Sequence, residues 1–320
     1  MLEVERLLAD CLREARSEPL GCVPVDPAGP AYEAARRTFL TAGLCALRDH
    51  LPEAGWIQFN LTPAPTAWER TYRVIADAAR ELIASGTARS FFFMHKPPGL
   101  RVRFEAAGRD TEVLRAELTR RFNGLPGHPR SPYHGIYEPE SYLFGGPLSM
   151  RYVHELFTVD SLAWLDHHLA NTREGGPEQL ADWRLSLVLL GELLAGLGVV
   201  GWEHRGVWEA VRDGTGRRLA TGLDDDGRRA AAGVLAAWQA GPPALLAQVP
   251  PERRTAVEAH GDAVRRAAER WRGGYFDSGD ALIGPRRAAA HHVIFHWNRG
   301  RLSLARQSLL THALAGEGRA

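Results

Sequence analysis

Two arginines raise the first chemical question. The stretch "FFFMHKPPGLRVRFE", residues 91–105, predicts a strand, a tight turn and a second strand. Phe91, Phe92, Phe93 and Met94 form a continuous apolar run. Pro97, Pro98 and Gly99 are turn residues by fixed φ and by tolerance of positive φ. Beyond the turn the pattern alternates: Leu100, Val102 and Phe104 take one face, and Arg101, Arg103 and Glu105 take the other. Two guanidinium forks about 7 Å apart on one strand face can grip an anion bidentately. The ordinary alternative is a solvated face of an antiparallel sheet. Tyr275, in the glycine-flanked "GGYFDSG", is an acid/base candidate, because such loops bring side chains close to ligands. A plain loop tyrosine is the competing reading.

The familiar cofactor and metal signatures fail one by one. "GLGVVG" (196–201) matches a dinucleotide fingerprint, but it follows the apolar helical run "LSLVLLGELLA" where a strand is required. It reads as the end of a helix. "HELFT" (154–158) has Thr158 where a zinc helix needs its second histidine. "LDDDG" (223–227) lacks calcium-loop spacing and reads as a solvated turn. His167–His168 and His291–His292 are adjacent pairs, whose side chains diverge on a helix or a strand. Cys11, Cys22 and Cys45 form neither a disulfide framework nor a zinc set. No cofactor and no metal are expected.

Net charge narrows the partners. At +1 the chain has no bulk field for nucleic acid or an acidic membrane surface. Lys96 is the only lysine, so an anion site is built from planar arginine forks. No run approaches the ~18 apolar residues of a membrane helix, and "MLEVERLLADCLREA" is no signal peptide. A cytoplasmic location is expected, with no nucleic acid and no membrane as partners.

The elements that must position these residues are partly readable. Val4, Leu7, Leu8, Cys11 and Leu12 form a helical stripe, "PLGCVPVDPAGP" is a connector, and residues 31–50 read as a second helix. Residues 1–50 are therefore expected as a helical extension, and 51–320 as one domain. In the latter, "GWIQFNLTP" (55–63) reads as a strand, 66–86 and 110–122 as helices, and 131–146 as a strand with loop ends. "MRYVHELFTVDSLAWLDHHLA" (150–170) reads as helix, break, helix, with Asp160 or Ser161 capping the second part. From 177 to 272 the pattern is mostly helical. The expectation is an α+β fold: a mixed β-sheet with helices packed on it and a largely helical C-terminal half.

Four segments, in order, resemble one family: "GWIQFNL", "FFFMHKPPGLRVRF", "GIYEPESYLFGG" followed by "MRYVHELFTVDS", and "HHVIFHWNRG". Together, over roughly residues 55–315, they are similar to the thiopeptide-type biosynthesis domain. That domain is also the C-terminal elimination module of lanthipeptide dehydratases. The module removes glutamate from glutamylated Ser or Thr of a precursor peptide. The resemblance implies site roles for Arg101 and Arg103 of the "LRxRF" strand, Glu140 of the "YxPE" segment, and His296 with Asn298 and Arg299 beside it. Eliminating members carry an arginine three residues after that acid, where this chain has Leu143. Members that lack it include the thiopeptide pyridine synthases, which "WEHRGVWEAV" (202–211) and "WRGGYFDSG" (271–279) also resemble.

That branch implies a formal [4+2] addition joining two dehydroalanines of one modified peptide. Macrocyclisation follows, with loss of water and of the leader peptide. The implied partner is a ribosomally made precursor peptide, together with other enzymes of the same pathway. Tyr275, His296 and Tyr137 are the candidates for moving protons. Arg101, Arg103, Glu140, Asn298 and Arg299 are the candidates for holding substrate. Arg101 and Arg103 are expected on the floor of a cleft, with Glu140 on a neighbouring strand. His296 also fits a satisfied core histidine, since "VIFHWNR" is apolar. Trp202, Trp208, Trp271 and Trp297 can stack on azole rings, although most of them are expected in the core. A glutamate-eliminating lyase and a non-catalytic peptide scaffold are the rival readings.

Overall fold

The computed structural model describes residues 55–316 except 109–110 and 173–178, with a few positions between 6 and 39. The chain divides into two compact units, 1–54 and 55–320. In the first, the described positions 6, 8 and 9, and most of those from 31 to 39, are helical; its other expected elements lie outside the described residues.

The second unit opens with a sheet. Its strands are β1 (Trp56–Leu61), β2 (Ala88–Lys96), β3 (Gly99–Ala106) and β4 (Tyr133–Gly135), in the order β2-β3-β1-β4. The fold is α+β, as the pattern indicated. All three ladders are antiparallel, where a mixed sheet was expected. The reason is topological. β1 and β2 run parallel, but the hairpin partner β3 inserts between them, so every neighbouring pair is antiparallel. On one face Phe104 lies opposite Ile57 and Phe91, and Val102 opposite Phe59 and Phe93. On the other, Arg103 lies opposite Gln58 and Phe92, and Arg101 opposite Asn60 and Met94.

Two helices with apolar stripes at helical spacing accompany the first face. Helix α1 (Trp68–Ala84) buries Tyr72, Ile75, Ala76, Ala79 and Leu82. Helix α2 (Glu112–Asn123) buries Leu114, Leu118 and Phe122, and Phe122 meets Phe59 edge-on at 5.2 Å.

Helix α3 (Pro147–Thr172) is continuous, and the break expected at Asp160 is absent. Its polar residues serve distant partners instead. β2 is an edge strand, and its outward N–H groups would otherwise be bare. The Thr158 hydroxyl accepts from Phe91 N (3.1 Å), and the Ser161 hydroxyl from Phe93 N (3.3 Å). Asp160 points into the core.

The helical half follows: α4 (Asp182–Gly196), α5 (Glu203–Thr215), α6 (Asp225–Ala247), α7 (Pro251–Gly274), α8 (Pro285–Arg299) and α9 (Leu304–Ala315). α4 is apolar nearly all round and lies in the core. The "GLGVVG" stretch is its C-terminus: Gly198 takes φ +71°, Val199 N donates to Leu194 O, and Gly198 N donates to Ala195 O. That is a Schellman motif, which needs glycine at its left-handed position. Contrary to the hydropathy expectation, α6 is long and apolar enough, by length and composition, to cross a membrane. It is not a straight rod, because Gly241 (φ 81°, ψ 170°) precedes Pro242 and Pro243 and kinks it.

Gly300, just after α8, closes this packing. A Cβ there would lie 2.4 and 2.6 Å from ring atoms of Trp164, whose indole adjoins His296 at 5.0 Å. Its φ of −76° is ordinary, so the constraint is purely steric. Gly300→Ala is expected to destabilise the protein by about 1–3 kcal/mol and to change the near-UV signal of the buried tryptophan. A urea midpoint equal to that of the parent would contradict this packing.

Candidate functional site

The arginine face of β3 is not a solvated surface. Arg103 is 5% exposed. Its Nε donates to Gln58 Oε1 at 2.7 Å, and its guanidinium carbon lies 4.9 Å from the Phe92 ring centre and 4.7 Å from that of Tyr137. Burial pulls its pKa down to about 10. The charges of Tyr137 and Glu140 oppose that pull, and Arg101 and Arg299 add to it. Arg103 therefore remains a cation at neutral pH. Four of the expected residues, Tyr137, Glu140, Arg101 and Arg299, thus lie near enough to act on its charge. Arg101, one pleat along, is only half-buried. Glu140 lies not on a strand but just before the 3₁₀ turn Ser141–Leu143, and is partly exposed.

Against Arg103 stands a hydrogen-bonded pair. Tyr137 is buried, with its hydroxyl 2.7 Å from His154 Nε2. Burial, reinforced by Arg103, lowers the His154 pKa to about 3. The imidazole is thus neutral, and its Nε2 can accept a hydrogen bond from the Tyr137 hydroxyl. Trp56 roofs the pair, 5.0 Å from Tyr137 and 4.4 Å from His154. His154 escaped sequence reasoning: it was seen only as half of a failed zinc motif. Its four-residue offset from Thr158, which binds the β2 edge, was the available hint.

Below Phe92 lies a second charged layer. Arg299 is wholly buried, 4.2 Å from the Phe157 ring and 5.8 Å from that of Phe92. Its NH1 donates to Asp160 Oδ2 at 2.8 Å. The other Asp160 oxygen lies 2.7 Å from His296 Nδ1, and His296 Nε2 lies 3.0 Å from Ser186 Oγ. Burial alone would raise the Asp160 pKa, but His296 and Arg299 overturn that and hold the carboxylate well below its ordinary range. Asn298 enters through its backbone: its carbonyl accepts from His95 Nδ1 (3.0 Å), and the Arg299 carbonyl accepts from His168 Nε2 (2.8 Å). Two imidazoles thereby satisfy the orphan carbonyls at the end of α8.

The remaining candidates lie elsewhere. Tyr275 is buried, and its hydroxyl donates to Gly145 O (2.7 Å) and accepts from Leu282 N (2.9 Å). It ties the "FGG" segment to the loop before α8. Trp208, Trp271 and Trp297 are core residues, whereas Trp202 is 80% exposed.

Asp160, His292 and His296 place three ligand atoms within 4.8 Å of one another. The set does not suit a divalent cation. The Arg299 guanidinium already neutralises Asp160, and a second cation would meet it in a dry interior.

The family model described as "Lantibiotic biosynthesis dehydratase C-term" matches residues 56–316. The chain belongs to that family. A tRNA-dependent lantibiotic dehydratase, MibB from Microbispora sp. 107891, shares the fold at TM-score 0.58 and 20% identity. The match covers 82% of this chain but spans only 28% of the dehydratase. A pyridine synthase, TbtD, from thiomuracin biosynthesis aligns at TM-score 0.48 and 16% identity, over 81% of this chain and 96% of that one. No curated protein sequence matches.

The buried histidines make stability depend on pH. Burial lowers His154 and His292 to about 3 and His168 to about 4, against roughly 6.5 in the unfolded chain. The unfolded state takes up protons first, so this stabilisation is complete above pH 6.5 and drains away as pH falls toward 4. Each imidazole contributes up to about 1.4 kcal/mol per pH unit inside that window. The urea midpoint should drop steeply from pH 7.5 to pH 5; a flat profile would contradict the neutral burial of these rings.

Proposed function

We propose that this protein is a pyridine synthase of thiopeptide biosynthesis, joining two dehydroalanines of a modified precursor peptide. The observation that carries the reading is Leu143. Eliminating relatives hold an arginine at the matching position. Here the side chain is apolar and packs against the core beside Phe144, so the site lacks the cation that would receive an expelled glutamate.

The remaining geometry suits the cycloaddition. The main barrier is bringing two alkenes of one flexible peptide together, and orientation alone can supply about 7–11 kcal/mol. Arg101, with Arg103 behind it, would hold peptide carbonyls, and Glu140 would set the balance of charge. The Tyr137–His154 pair would serve the proton steps. Tyr137, hydrogen-bonded to the neutral His154 and beside the Arg103 cation, would give its hydroxyl proton to the departing hydroxyl, which leaves as water, and the resulting phenolate would take up the proton released on aromatisation, so that the phenol is regenerated and His154 stays neutral throughout. Arg299, Asp160, His296 and the Asn298 carbonyl would act as positioning groups beneath the site, and Tyr275 as the tie that fixes the "FGG" segment. Trp202 would meet planar azoles at the surface.

A glutamate-eliminating lyase is the second reading, favoured by the retention of Arg101 and Arg103 on one face of β3 with Glu140 near enough to act on Arg103. The two separate in a single experiment. The purified protein is given a bis-dehydroalanine azole peptide and, separately, a glutamylated peptide, and both are followed by mass spectrometry. Macrocyclic product with leader release from the first, and no loss of glutamate from the second, is the expected result. Glutamate loss would replace this reading with the lyase; binding without turnover of either would leave a scaffold. Tyr137→Phe should lower kcat by about 10²–10⁴-fold while peptide binding persists, and unchanged kcat would remove Tyr137 from the proton steps.

A further inference from the structure

A cavity of about 920 Å³ opens between the C-terminal end of α5, the loop 216–224, the first turn of α6 and α9. It shares no lining residue with the site around Arg103. Arg212, Arg217, Arg218 and Arg228 line it together with His312, and Asp213 is the only acid in the wall. Asp213 is shared, since Arg212 Nε lies 3.0 Å and Arg218 NH2 2.8 Å from the same carboxylate oxygen. Arg228 pairs with Asp225 from outside the wall. Among the lining residues four arginines face one carboxylate, in a chain whose overall charge is only +1, while Asp224, Asp225 and Asp226 stand beside the wall at the start of α6.

Arg217 is the distinctive member. It is half-buried, and its described bonds go to neutral oxygens: Nε to Gln307 Oε1 at 3.0 Å and NH1 to Thr215 O at 2.6 Å. Ends of helices favour nearby cations, which accounts for one or two arginines beside α5. It does not account for four around a hollow this large. The volume is at the upper end of small-ligand pockets, about 300–1,000 Å³, and has room for a short stretch of extended chain.

We propose that this cavity is a docking site for an acidic peptide segment, whose carboxylates take the guanidinium forks bidentately. The inference rests on the peptide-modifying reading given above and deepens it. A peptide whose reacting residues occupy the Arg103 face has further chain to anchor, and anchoring by charge at a second place raises the effective concentration of the reacting part.

The test uses the whole protein and a fluorescein-labelled octaglutamate peptide, followed by anisotropy at low salt. Saturable binding that weakens steeply with added salt is expected. Arg218→Glu should weaken it tenfold or more, as loss of a charged hydrogen bond implies. Arg218 is exposed and bonds to Asp213, so this variant is expected to fold; its melting temperature is checked alongside. Arg217→Ala should act in the same direction, and Arg73→Ala, at an exposed arginine of α1 outside the cavity, should leave binding unchanged. No saturable binding, binding insensitive to Arg218→Glu, or displacement by inorganic phosphate or an RNA hairpin at lower concentration than by the peptide would each overturn the proposal. Octaglutamate bound through Arg218 with no cyclisation of the dehydrated substrate would sink the synthase reading and leave the docking site standing.

Discussion

A guanidinium with no water around it must be answered from within the protein. Arg299 is such a group: its Nε and NH2 have no hydrogen-bond partner among the described residues, while its NH1 meets Asp160. Their contact fixes where α3 lies against α8, because each helix contributes one partner. One turn earlier on α8, His296 meets the same carboxylate and reaches Ser186 on α4. Three helices are thereby locked at one point. The Arg299 charge is further shared with the faces of Phe157 and Phe92. Phe92 belongs to the sheet, so the same point ties the helical half to the strands.

The upper layer depends on the lower one. Phe92 has one arginine near it from each layer, Arg103 and Arg299. Two cations so close would repel if Asp160 and Glu140 did not offset them. Burial and the arginines keep His154 and His292 neutral in this arrangement. A neutral His154 can accept a hydrogen bond from the Tyr137 hydroxyl through Nε2. In this account the electrostatics of the core and the chemistry proposed for the site are one problem.

Much of the scaffold was legible because it is local. The hairpin around Pro97–Gly99, the alternation that sets Arg101 and Arg103 apart from Leu100 and Val102, and the helix end at Gly198 follow from turn chemistry and period. The fate of three of the four tryptophans followed from size and apolarity. What escaped was set by partners far along the chain. Asp160 and Ser161 look like a helix cap, yet their hydrogen bonds go to Arg299 and to the edge of β2, more than 60 residues away. His154 looks like half a zinc site until Tyr137 and Trp56 are placed beside it. Arg103 reads as a solvated residue until the 136–144 segment folds over it. The antiparallel order was hidden because insertion of β3 between β1 and β2 leaves no local trace.

The central claim is that Asp160 and Arg299 act as a unit on which the packing depends. A double-mutant cycle with Asp160→Asn and Arg299→Met, read by urea unfolding, tests it most directly. Each single variant should cost about 3–5 kcal/mol, because it strands a buried charge or removes that charge's main hydrogen bond. The double variant should cost clearly less than the sum of the two. Strictly additive losses would contradict the claim.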